Sequence, residues 1–141
     1  MPIIKRETDY ALRALARLAL AGDFVAVSAL AEAEDIPEDF LRKIMQTLHH
    51  AGMVESRQGP FGGYRLAVAP RQVTLLAVLE AVQGPADLNE CFTAPGACER
   101  APRCPVRAQL GRLQSSFNKQ MDRVTLESIL QEVPAHARSV P

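Results

Sequence analysis

Mainly α, with a small β-hairpin wing behind a helix-turn-helix and a long dimerisation helix after it, is the architecture that three features of the sequence predict. Apolar residues recur at helical spacing up to Leu48 and again from Val106 onward. Two strand-like segments, Met53 to Arg57 and Tyr64 to Ala67, flank the run Gln58-Gly59-Pro60-Phe61-Gly62-Gly63, whose composition is that of a tight hairpin loop. Two short helices joined by a turn stand directly before this hairpin, and that order of elements is a winged helix. The 141 residues are one domain's worth, and 48% hydrophobic with 23% charged residues suffices for a packed, ordered core. Trp is absent and aromatics are 5%, so that core must be built mostly of Ala, Leu, Val and Ile.

The first helix is expected over Glu7 to Ala21, because Ala11, Leu12, Leu15, Leu18 and Ala19 share one face and Gly22-Asp23 ends the pattern. Ser28 is a candidate N-cap for a short helix, Ala29 to Glu34. After a turn at Asp35-Ile36, Pro37 suits the first position of a third helix. That helix turns Phe40, Leu41, Ile44 and Leu48 inward and closes at Ala51-Gly52. Beyond the hairpin, Thr74 caps an amphipathic helix carrying Leu75, Leu76, Val78, Leu79 and Val82, which stops at Gly84-Pro85. Residues 86–105 have no apolar period and read as a loop. From Pro105 a long helix carries Val106, Leu110, Leu113, Phe117, Met121 and Val124 three or four apart. Such a near-heptad stripe beside a small domain is a dimer seam or, alternatively, a face packed on the helix Leu75 to Val82. Thr125 caps a last short helix through Val133. The resulting division is a DNA-binding domain at 1–85, a cysteine-containing loop at 86–105, a dimerisation helix with a short C-terminal helix at 106–133, and a tail at 134–141.

Charge and hydropathy exclude several classes. Sixteen basic and sixteen acidic residues balance to zero, so no global basic field exists. The longest apolar stretch, Leu18 to Val27, is broken by Gly22 and Asp23, and no membrane or lipid partner is expected. Lys5, Arg6, Glu7 and Asp9 occupy the place where a signal peptide would be apolar, which points to the cytoplasm. The sequence has no GxSxG, HExxH, GxxxxGK[ST] or GxGxxG motif, and no enzyme is expected.

The neutrality is not uniform. Phe40 to Leu66 holds Arg42, Lys43, Arg57 and Arg65 against Glu55 alone, a local charge of +3. With Phe40, Ile44 and Leu48 turned inward, the third helix leaves Asp39, Arg42, Lys43, Gln46 and His49 outside. Arg42 and Gln46 have side chains that can read base edges in a major groove, while Lys43 and Arg57 can neutralise phosphates. The wing residues Gln58, Gly59, Pro60, Tyr64 and Arg65 complete the candidate double-stranded DNA contact set. An isolated helix with these residues would more simply be a solvated face. The wing behind it favours DNA.

The three cysteines read C-x6-C-x5-C over Cys91, Cys98 and Cys104, inside a loop rich in Pro, Gly and charge. Surface thiols, a redox pair, and metal or cluster ligation all remain open on spacing alone. Thiolates suit zinc and iron–sulphur centres, but zinc would want a fourth Cys or His that the loop lacks.

These pieces together resemble the Rrf-two, or IscR/NsrR-type, family of bacterial winged-helix iron–sulphur transcription regulators. The matching runs are Thr8 to Leu15, Ile36 to Ile44, Gly59 to Ala67, Val73 to Pro85, and the cysteine loop, collinear from about position 3 to 133. The resemblance implies a homodimer, built on the long helix, that binds a pseudo-palindromic operator with recognition helices about one turn (~34 Å) apart. It also implies that Cys91, Cys98 and Cys104 ligate a 2Fe-2S or 4Fe-4S cluster responsive to nitric oxide, redox state or iron–sulphur status. The IscR-like branch takes a histidine three residues after the last cysteine as fourth ligand, where this chain has Arg107. The NsrR-like branch uses an aspartate in the motif that reads Thr8-Asp9-Tyr10-Ala11-Leu12-Arg13 here, which makes Asp9, contributed across the dimer, the candidate and Glu7 the fallback. Asp9 could equally serve its own helix by complementing the macrodipole. Many relatives carry Arg immediately before the wing's Gly-Pro; here Gln58 stands there, after Arg57. The functional expectation is a transcription regulator, read as a repressor, governed by a loop-bound cluster. Its rivals are a cluster-free thiol or zinc regulator on the same fold, and a small redox or cluster-assembly protein that does not bind DNA.

Overall fold

The computed structural model describes residues 2–138 other than Pro95 and Ala97; the last positions of the expected tail, 139–141, lie outside them. Six helices and one hairpin follow in the order α1 (Arg6–Ala21), α2 (Val27–Glu34), α3 (Glu38–His50), β1 (Val54–Arg57), β2 (Gly63–Leu66), α4 (Leu75–Val82), α5 (Pro105–Arg123) and α6 (Leu126–Gln131). This is the expected winged helix followed by a long helix. No helix among the described residues is long and apolar enough to cross a membrane.

Helix α1 is the central rod of the core. Ala11, Ala14, Leu15 and Leu18 are fully buried on one face, and the small alanines let α2, α3, α4 and α6 approach it closely. Its end is set by Gly22, whose left-handed backbone sends its N–H to the Leu18 carbonyl. In α3 the buried set is Leu41, Ile44, Met45 and Leu48, a stripe at i, i+3, i+4 and i+7. Phe40 is not part of it, contrary to expectation. It sits at the stripe's edge, 39% exposed, with its ring edge-on to Tyr10 at 5.7 Å. Met45, four residues after Leu41, fills the core position instead.

Ser28 is not a cap either. Helix α2 starts two residues earlier, with Ala26 at the N-cap and Val27 buried. The cause is the wing. Val25 and Tyr64 exchange both backbone hydrogen bonds at 2.9 Å, so the chain leaves an extended bridge and enters the helix at once. Gly63 makes this possible, because a Cβ there would overlap the Val25 carbonyl, and its φ of 143° suits glycine alone. Pro37 likewise serves as the N-cap of α3 and not as its first helical residue. In the hairpin, β1 and β2 pair antiparallel from Val54↔Leu66 to Arg57↔Gly63.

Thr74 caps α4 as expected, its hydroxyl accepting the Ala77 N–H at 3.1 Å. The C-terminal return is less obvious. Leu75 N–H donates to the Val124 carbonyl and Leu126 N–H to the Val73 carbonyl, both at 2.8 Å, around a bridge between Thr74 and Thr125. This delivers Leu126, 1% exposed, into the same core as Leu15 and Leu18. Helix α6 is therefore structurally part of the winged-helix core.

The expected stripe on α5 divides. Met121 is 3% exposed and, with half-buried Phe117, packs on Leu75, Leu76 and Leu79 of α4 in a second small core. Leu110 is half-buried, whereas Val106 and Leu113 are 60% and 57% exposed. Val124 lies past the helix, at its C-cap. The C-terminal part of the stripe thus packs within the chain on α4, and an apolar strip, Val106 and Leu113, stays open toward the N-terminal end.

Candidate nucleic-acid interface and cysteine loop

Of the candidate DNA contacts, Arg42, Arg57, Gln58, Gly59 and Tyr64 come together at the junction of α2, α3 and the wing. A groove of about 310 Å³ is lined there by Ser28, Glu38, Arg42, Arg57, Gln58 and Tyr64, among others. Asp39, Arg42, Lys43, Gln46 and His49 are all exposed on α3, as the inward stripe requires. Arg42 is ion-paired with Glu38 one turn earlier, both about half exposed. Lys43 lies on the opposite flank of α3, by a smaller hollow it shares with Glu7 and Val82. The His49 Nδ1–H donates to the Val54 carbonyl at 3.1 Å, which ties the ring to β1. His50 is tied to the Gln46 carbonyl at 2.7 Å.

Arg65 and Arg57 differ in availability. Arg65 donates to Glu55 through Nε at 2.6 Å and lies 3.9 Å from Asp23, so its charge is largely answered within the protein. Among the described residues Arg57 makes no carboxylate pair; its Nη2 donates to the Phe61 carbonyl at 2.7 Å. The two guanidiniums bracket Phe24, at 4.1 and 4.4 Å from its ring centroid. This cation–π stack orients both arginines. The sequence reading overlooked Phe24, a lone aromatic after the Gly22-Asp23 turn, and also Glu38 and Ser28. A bulky aromatic in an otherwise small and polar turn was the available signal.

Among the described residues of 86–104 the helical structure is two short 3₁₀ turns, Glu90–Phe92 and Ala101–Arg103. All three cysteines are free and half-buried. Cys91 and Cys98 line one cavity of about 570 Å³ with Asn89, Glu90 and Thr93. Cys104 lines a separate one of about 580 Å³ with Glu99, Arg100 and Arg103. Its sulfur occupies the N-cap of α5 and accepts the Arg107 N–H at 3.4 Å. Among the described residues no group of three or more His, Cys, Asp or Glu side chains stands at metal-holding spacing. Of the four candidate ligands the fold thus joins Cys91 to Cys98 in one cavity, places Cys104 in another at the start of α5, and keeps Asp9 on α1, where its carboxylate pairs with Arg13 at 3.4 Å.

Two glutamines tie this loop to the rest. Gln114 of α5, 9% exposed, donates to the Ala86 carbonyl at 3.0 Å and accepts the Leu88 N–H at 2.7 Å. Gln83, which follows α4, accepts from the Lys5 N–H at 2.9 Å and the Thr8 hydroxyl at 2.7 Å, and donates to the Ile3 carbonyl at 3.0 Å. Phe92 lays its ring against Gly111, with the Arg107 guanidinium 5.4 Å from its centroid. Arg107 Nε is buried and has no hydrogen-bond partner among the described residues.

The family model Rrf2, described as an iron-dependent transcriptional regulator, matches residues 4–132. The chain belongs to the Rrf2 family. The regulator NsrR of Geobacillus kaustophilus is 33% identical over 128 residues, covering 89% of this chain and 87% of that one. A Synechocystis protein named as an HTH-type transcriptional regulator is 40% identical over 79 residues, a match spanning 55% of this chain and 54% of that protein. In structure, this Rrf2 protein is similar to CymR, the global cysteine regulator of B. subtilis, with a TM-score of 0.76 and 24% identity, over 95% of this chain and 100% of that one. That likeness establishes the shared winged-helix fold. Family membership makes the protein a transcriptional regulator.

Proposed function

We propose that this Rrf2 protein is a cytoplasmic, homodimeric repressor whose operator affinity is set by an iron–sulphur centre on the loop 86–105. The observation that carries the reading is the placement of three free, half-buried thiols in a loop pinned at its start by Gln114 to α5 and through Gln83 to α1. The donor set fits such a group: three soft thiols lie within one loop, with no histidine among its residues. Cys91, Cys98 and Cys104 would hold it, with Asp9 of a second copy as the fourth ligand. When bound, such a centre supplies sensitivity to nitric oxide, oxidants or iron supply at a fixed point of the fold.

The chain's own residues convert that sensitivity into DNA affinity. When the loop gives up its ligand set, residues 86–105 reorder and the Gln114 contacts to Ala86 and Leu88 are disturbed. Helix α4 then shifts against α5, and Gln83 passes the shift to the start of α1. In a dimer joined along the open Val106 and Leu113 strip, this changes the spacing of the two wings. On the DNA, Arg42, Gln46 and His49 face base edges, Asp39 borders them, and Lys43, Arg57, Arg65 and the Gln58-Gly59-Pro60 turn face the backbone, with Tyr64 supporting the wing.

Anaerobic purification followed by an absorption spectrum with iron and sulphide counts, before and after nitric oxide, tests the proposal. A coloured, iron-containing protein whose spectrum changes with nitric oxide is expected. A colourless, iron-free protein under reconstituting conditions sinks it. The pairing of Cys91 with Cys98 in one cavity supports a second reading, a thiol-based regulator. Operator release by peroxide that is lost in Cys91→Ser, in iron-free protein, would favour it.

A further inference from the structure

The wing carries a side chain that no part of the preceding reading uses. Phe61 is 83% exposed, the most exposed large hydrophobic side chain among the described residues. It stands at the tip of the hairpin on a turn whose backbone is fixed from three sides. Gly62 N–H donates to the Gly59 carbonyl at 2.9 Å, which makes Pro60 and Phe61 the two corner residues. Arg57 Nη2 holds the Phe61 carbonyl at 2.7 Å. A Cβ on Gly62 would overlap the Arg57 carbonyl, so the turn is closed tightly under the ring. Arg57 is itself stacked on Phe24. The tip is therefore built to hold an aromatic ring outward beside a guanidinium that no carboxylate among the described residues neutralises.

At this exposure the ring has little packing within the folded chain, and its place on the wing tip decides what it can meet. On a strand turn flanked by arginine, in a family that regulates transcription, the surface it meets is DNA. A planar apolar side chain next to a cation has a specific use in a narrow groove: the cation follows the phosphate-lined walls and the ring presses between two base pairs. We propose that Phe61 is a minor-groove wedge, inserted partly into a base step at the outer flank of each half-site. This makes the protein select flexible pyrimidine–purine steps there, TA or CA/TG, at positions where it makes no base-edge hydrogen bond. The proposal rests on the wing entering the groove, but not on any metal centre.

The test is selection from random-sequence duplexes by wild type, Phe61→Ala and Phe61→Leu, followed by 2-aminopurine placed at the enriched flanking step of the selected duplex. Wild type should enrich TA or CA/TG steps at symmetric outer positions and raise 2-aminopurine fluorescence on binding. Phe61→Leu, still an apolar wedge, should keep most of both effects. Phe61→Ala should select the same inner bases, lose the flanking preference and the fluorescence rise, and bind the wild-type duplex about 5- to 30-fold more weakly. The exposed position makes an unchanged melting temperature the expected control. Equal flanking preferences in wild type and Phe61→Ala, or no fluorescence change with wild type on a duplex it binds, would overturn the wedge and leave the regulator intact. Wild type that enriches no sequence at all would remove the wing reading and the wedge together.

Discussion

Replacing Gln83 with alanine isolates one link between the end of α4 and the start of α1. Its side-chain amide makes three hydrogen bonds, but they do not count equally. Lys5 and Ile3 are exposed, so their freed backbone groups turn to water. Thr8 is fully buried, and its hydroxyl loses the acceptor it reaches at 2.7 Å. A buried donor left unsatisfied costs about 1–3 kcal/mol, and nearly all of the loss should come from this one group. Urea unfolding followed by circular dichroism, at one fixed protein concentration, measures it. In a Thr8→Val background there is no hydroxyl to strand, so the same Gln83→Ala change should cost under ~1 kcal/mol. The double-mutant cycle should therefore return a coupling of about 1 kcal/mol or more. A loss below ~0.5 kcal/mol for Gln83→Ala, or strict additivity with Thr8→Val, would refute the assignment of this amide as the tie between the two segments.

Three further outcomes are expected. Cys104→Ser should keep α5 and the fold, because a serine hydroxyl caps a helix at least as well as a thiol; if Cys104 is a ligand, the iron content of anaerobically purified protein should nevertheless fall, as colorimetric iron analysis will show. Leu126→Ala should destabilise the winged-helix core by about 2–5 kcal/mol in denaturant unfolding, since the side chain is 1% exposed among residues of α1. Glu38→Gln should tighten binding to a selected duplex about two- to fivefold at low salt, by releasing Arg42 from its exposed ion pair; no change in a filter-binding or anisotropy titration would mean that Arg42 does not face the DNA.

The features legible in the sequence were those that repeat along it. The spacing of Leu15, Leu18, Leu41, Ile44 and Leu48 marks buried helical faces because burial recurs with the turn of a helix. The hairpin was legible for a different reason: Gly59, Pro60 and Gly63 meet backbone requirements that few residues satisfy. Phe40 and Ser28 were misplaced because each obeys a local rule that a distant contact overrides, Tyr10 at the edge of one stripe and the Val25–Tyr64 bridge before the other helix. Gln83, Gln114 and Phe24 left no periodic trace. Their partners are backbone groups, a buried hydroxyl or cations far along the chain, and a single polar or aromatic residue carries no sign of which of these it will meet. The cysteine loop was legible as chemistry, through residue type and clustering, but its division into a Cys91–Cys98 cavity and a capping Cys104 depends on where α5 begins.

The bridge between Thr74 and Thr125 has a consequence for the order in which the molecule is made. Leu126 belongs to the core that α1 organises, yet it lies beyond the whole excursion through α4, the cysteine loop and α5. A nascent chain that has reached the end of the wing still lacks a piece of its own interior. The head that carries the arginines is finished only after all three thiols have been synthesised and α5 has returned the chain to its starting point. During synthesis, then, no stage exists at which a completed reader of DNA is present without the cysteine loop already attached.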